Sequence, residues 1–184
     1  MHSQIILAAV SLLFLVSVAE ASLYEDYDRF KDIHVQETGN WGGFRGENEL
    51  DDGRYLSLTP AKTTYHDKTY KYTLRLRWTG RELLVFERAT LILLIDGERF
   101  SLEPSSTFTD YLVDHRLSTL SNSLSEQDIN ERLEYEVPET LITKIANAKS
   151  VECALYTPKG RIERTFSKGN KSQFKEFVEK VINP

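Results

Sequence analysis

Residues 69–78, TYKYTLRLRW, constrain this chain more than any other stretch. Tyr70, Tyr72, Leu74, Leu76 and Trp78 alternate with Lys71, Thr73, Arg75, Arg77 and Thr79. A period of two fits an extended strand with one apolar and one wet face. Such a strand needs neighbours to pair with and a layer to cover its apolar side, so these tyrosines, leucines and Trp78 are expected in a core. The basic row Lys71, Arg75 and Arg77, with Arg81 beyond a turn at Thr79-Gly80-Arg81, has two readings. The polar face of an antiparallel sheet is ordinarily charged, partly to discourage edge pairing. A central strand whose basic row met no acids would instead form an anion-binding strip. Carboxylates facing the row from adjacent strands, Glu98 among the candidates, decide between the two.

The rest of the chain supplies the neighbours. RYLSLTP reads as a short strand closed by Pro60, with a polar connector over 61–69. LLVFERATLILLID is either two strands with a break near Arg88 or one long bent strand. Asp96-Gly97, between LILLI and ERFSL, predicts a two-residue type I′ hairpin, because both central positions need positive φ and Asp-Gly adopts it cheaply. FTDYLVDHR is a further strand candidate, and ERLEYEV another with Leu133, Tyr135 and Val137 inward; LSTLSNSLSEQDIN between them reads as a surface loop. SVECALY and RIERTFS are joined by a turn at Thr157-Pro158-Lys159-Gly160.

Two amphipathic helices are expected. Pro138 opens the first, with Leu141, Ile142, Ile145 and Ala146 on one stripe. The second closes the chain, with Phe174, Phe177, Val178, Val181 and Ile182 at helical spacing and Asn170 and Gln173 in capping-box spacing. Asn170-Lys171-Ser172 is also a glycosylation sequon, but the cap accounts for Asn170 without sugar. The expected architecture is an antiparallel, β-rich α+β domain over residues 53–184, with about seven strands and two short helices. It forms a sandwich closed by helices or a curled sheet around a helix.

The first 21 residues have a different character. Ile5 to Val18 is almost wholly apolar and Ala19-Glu20-Ala21 has the form of a signal-peptidase site, although the segment lacks Lys and Arg before the apolar run. A run of about 14 residues is short of the roughly 20 needed to cross a bilayer as a helix. The expectation is an exported chain starting at Ser22, periplasmic or extracellular, with no membrane span left after cleavage. Cleavage leaves 184 less 21, or 163 residues, and removes one acid, taking the formal charge from −5 to −4. Residues 22–52, rich in acids and glycine, read as an irregular N-terminal arm.

Mild acidity argues against a nucleic-acid partner, which requires a basic excess on one face. Cys153 is the only cysteine, so no internal disulfide and no cysteine-based zinc site can form. It shares a strand face with Val151 and Leu155, which predicts a buried, inert thiol. His34, His66 and His115 stand apart in polar contexts, without the pairing of metal ligands. Asp26, Asp28 and Asp32 lack the glycine and terminal glutamate of a calcium loop. No serine lies on a G-x-S-x-G turn. Neither a metal nor another cofactor is implied.

GNWGGFRGE has the most unusual local composition, and Trp41, Phe44 and Arg45 either pin the arm to the sheet or form a contact loop for a partner. The function expected is that of a non-enzymatic binding or interaction module. Candidate contacts are Lys71, Arg75 and Arg77 or Trp41, Phe44 and Arg45, the partner being a protein or small molecule of unknown identity. Two alternatives stay open: a hydrolase whose carboxylates meet only in the fold, and a carrier holding a small apolar ligand inside a curled sheet. The sequence does not fix the oligomeric state.

Overall fold

The computed structural model describes residues 23–38, 55–80, 89–113 and 127–184. In chain order these form β1 (Leu23–Asp28), β2 (Ile33–Thr38), β3 (Tyr55–Thr64), β4 (Tyr70–Gly80), β5 (Thr90–Ile95), β6 (Glu98–Leu102), β7 (Ser106–Val113) and β8 (Gln127–Glu136). Then come α1 (Glu139–Asn147), β9 (Val151–Thr157), β10 (Gly160–Thr165) and α2 (Lys168–Phe177), whose end widens into a π-helical turn, Val178–Ile182. A six-stranded sheet runs β1-β2-β3-β4-β8-β7 and a four-stranded sheet runs β10-β9-β5-β6. Every pairing is antiparallel. The domain is α+β, a β-rich pair of facing sheets with two helices, the second C-terminal.

The alternation in β4 sets the interior. Tyr72, Leu74, Leu76 and Trp78 are buried on the face where β3 adds Leu56 and Leu58 and β8 adds Leu133 and Tyr135. The smaller sheet contributes Leu91, Leu93 and Ile95 from β5 and Val151 and Leu155 from β9 to the same cluster. Tyr135 ties the two layers by donating from its hydroxyl to the Ala89 carbonyl at 3.1 Å. The helices fill the remaining side with Leu141, Ile142, Ile145 and Ala146 from α1 and Phe174 and Phe177 from α2. Phe177 meets Tyr72 edge-on at 6.3 Å, and Thr38 donates to the Gln173 carbonyl at 3.0 Å, so α2 lies across the β2–β4 side of the large sheet.

Several local expectations are corrected. Tyr70 is 55% exposed: it sits at the open start of β4, against Lys62 and Tyr72. Pro60 does not close its strand; β3 continues to Thr64, and Pro60 lies just past the last β2 pair, Glu37 with Ala61. A missing N–H is tolerated where a ladder ends. Gly80 still pairs with Ile129 in β4, and Gln127 to Asn130 belong to β8 rather than to a loop.

Within the supposed irregular arm, residues 23–38 form the β1–β2 hairpin. The Asp28 carboxylate accepts the backbone N–H groups of Phe30 and Lys31, and Asp32 takes a positive φ of 51°. β1 spreads its apolar residues over both faces, and the alternation of Ile33 and Val35 in β2 stops at Glu37, so neither shows the sustained period of a half-buried strand. The α2 cap is Ser167, whose hydroxyl accepts the Asn170 N–H while Asn170 accepts the Ser167 N–H. The helix starts there because Phe166 is still held in extended backbone by donating to the Val151 carbonyl. Asp96-Gly97 behaves as its residues dictate, with φ of 50° and 86° between the paired Ile95 and Glu98.

Candidate functional site

The outer face of the large sheet carries the basic row, and β4 is indeed central. Acids face the row from both sides. Arg75 donates through Nη1 to Glu37 at 3.1 Å and through Nε to Glu134 at 2.9 Å. Arg77 reaches both oxygens of Glu37 at 3.0 and 3.1 Å, and Thr59 donates to Glu37 at 2.6 Å. Lys71 stands 4.0 Å from Glu134. Glu37 comes from β2, across β3, where the residues opposite the arginines, Thr59 and Ser57, have small side chains that leave the guanidiniums room to reach it. Burial pulls the Arg77 guanidinium below its ordinary value, and Glu37 opposes that pull.

Glu98, named from sequence as a possible partner, lies in the other sheet and pairs with Lys144. The basic row is therefore an ion-paired surface that stitches β2, β4 and β8 together. The same guanidinium occupies the space between Glu37 and Glu134, so these two carboxylates do not frame a substrate cleft of the glycosidase kind.

The outer face of the small sheet differs. Its register sets Arg99, Leu94, Glu152 and Thr165 in one row across the strands, and Ser101, Ile92, Ala154 and Glu163 in the next. A third row holds Thr90, Tyr156 and Arg161, with Glu103 accepting from the Thr90 hydroxyl at 3.1 Å beyond it. A groove of about 540 Å³ crosses all four strands, floored by Ile92, Leu94, Ala154 and Tyr156 and edged by Arg99, Glu152, Glu163 and Arg164. Leu94 is 38% and Tyr156 41% exposed. Arg161 pairs with Glu163 at 3.2 Å and lies 6.0 Å from the Tyr156 ring centre. Among the described residues, neither Arg99 nor Glu152 has an ion-pair partner.

Sequence reasoning passed over this face, although LILLI carried a signal for it. A strand of an antiparallel sheet with one wet side alternates, whereas a continuous apolar run belongs to a strand covered on both sides. In β5 the inward Leu91, Leu93 and Ile95 are fully buried, while the outward Leu94 is not.

The remaining candidates separate as follows. Cys153 lies on the inner face of β9, partly buried against the core, and burial pushes its thiol up to about 11. The gap beside it, lined by Leu56, Leu58, Leu76, Arg164 and Phe166, is about 20 Å³, room for roughly one water and far short of an apolar ligand. Asp28 serves the β1–β2 turn, and Asp32 accepts from the Tyr27 hydroxyl at 2.6 Å. Among the described residues no three His, Cys, Asp or Glu side chains converge as metal ligands, and no helix is long and apolar enough to cross a membrane. Trp41, Phe44, Arg45, Arg81 and His115 lie outside the described residues. Comparison with models of known protein families and with curated proteins finds no match for this chain.

Proposed function

We propose that the chain is an exported, non-enzymatic interaction module that engages its partner through the outer face of the four-stranded sheet. The observation that carries this reading is the pairing of a two-sided apolar strand, β5, with a groove of about 540 Å³ along the side that no described residue covers. The partner that fits is a protein surface presenting apolar side chains flanked by charges of both signs, because the floor is apolar and the rim holds Arg99 against Glu152 and Glu163. Export rests on the apolar Ile5–Val18 segment followed by Ala19-Glu20-Ala21. Arg75 and Arg77 act in this reading as braces of the large sheet rather than as contacts.

The test compares two folded double variants as tagged bait in an extract of the cell envelope. Leu94→Lys with Tyr156→Ser is expected to lose the retained protein, and Arg75→Ser with Arg77→Ser to keep it. Loss by the arginine pair alone would move the contact to the large sheet and overturn the proposal.

A further inference from the structure

We infer that the partner of the small-sheet face is a second copy of this chain, in a two-fold dimer; the inference rests on that face being the interaction surface. A right-twisted sheet presents a saddle. A two-fold axis lying in the interface, parallel to the strands and between β5 and β9, lays that saddle onto its own copy. The axis exchanges β5 with β9 and β6 with β10.

Under this exchange the charge pattern is complementary to itself. Glu103, beyond the β6 end of its row, falls opposite Arg161 of the other copy, at the β10 end of the same row. Glu152 falls opposite Leu94, one strand from Arg99, within the reach of an arginine side chain. Arg99 and Glu152, neither of which has an ion-pair partner among the described residues, thus find each other across the axis, twice by symmetry. Ile92 falls against Ala154, a large residue against a small one. No carboxylate is set against a carboxylate, nor arginine against arginine.

The covered face is small. Four strands about 4.8 Å apart and three rows about 7 Å apart fall short of the roughly 800 Å² per partner of a standard interface, so the dimer is weak, with a Kd on the order of tens of micromolar.

Sedimentation equilibrium from about 5 to about 500 µM brackets that value. The wild-type chain is expected to pass from monomer to dimer across the range. Arg99→Glu and Glu152→Arg are each expected to weaken the dimer about tenfold, and the two together to recover it to within about threefold of wild type. Both positions are exposed, and an unchanged thermal midpoint shows that each variant is folded. A wild-type chain that stays monomeric to about 500 µM, a dimer indifferent to both single variants, or a double variant that fails to recover overturns the second-copy assignment. If the chain is monomeric but capture still depends on Leu94 and Tyr156, only the identity of the partner falls. If capture is indifferent as well, the interaction surface falls with it.

Discussion

Glu37 sits two strands from the arginines it holds, with a side chain only 7% exposed, and accepts from Thr59, Arg75 and Arg77 together. Removing its charge leaves two part-buried guanidiniums without that carboxylate, which costs more than the pair itself contributes. Glu37→Gln is expected to destabilise the fold by about 1–3 kcal/mol in urea unfolding, and no change would show that the network is solvated surface. Cys153 makes the opposite case, since its thiol stays neutral. Burial moves it from an ordinary 9.0 to about 11, about a hundredfold less thiolate at a given alkaline pH below 9. Because the folded value is the higher one, the stabilising effect of the neutral thiol is complete below about pH 9 and lost as the pH rises through about 11. Alkylation of the native protein at pH ~8 should lag that of the urea-unfolded chain by about that factor, whereas equal rates would mean an open thiol.

Elements differ in how plainly their residues announce them. β4 was readable because one side is buried and the other wet, so burial wrote a period of two into TYKYTLRLRW. β1, LYEDYD, and β2, IHVQET, carry no such record, because they are held by ladder hydrogen bonds and polar pairs such as Gln36 with Glu25 at 2.7 Å. Pro60 misled for a related reason, since a proline reads as a stop unless the place where the neighbouring strand ends is known. The α2 helix was legible in its apolar stripe but not in its start, because Ser167 and Asn170 both head plausible caps and the choice depends on the distant contact of Phe166 with Val151. Ser167→Ala is expected to cost about 1 kcal/mol, read as a lower thermal midpoint, while Asn170→Ser, if Asn170 were the cap, would be neutral. The second substitution should instead destabilise, because Asn170 is buried at 4% exposure and returns the bond to Ser167.

At the scale of the molecule the two sheets divide the labour. The outer face of the large sheet carries charges that satisfy one another, while that of the small sheet carries a groove with an exposed Leu94 and with Arg99 and Glu152, which have no ion-pair partner among the described residues. The candidate site was not legible beforehand because it depends on which face of LILLI the other described elements leave uncovered, a fact of topology rather than of local pattern. Exposed tyrosines on both sheets allow the division to be read directly. Tyr156 marks the small-sheet groove, and Tyr24, 39% exposed and paired with Glu37, marks the outer face of the large sheet. Hydroxyl-radical footprinting of the protein with its partner engaged, at high concentration or in the captured complex, measures both at once. Protection of Tyr156 with Tyr24 unchanged is the predicted result; protection of Tyr24 with Tyr156 as reactive as in the isolated chain would contradict it.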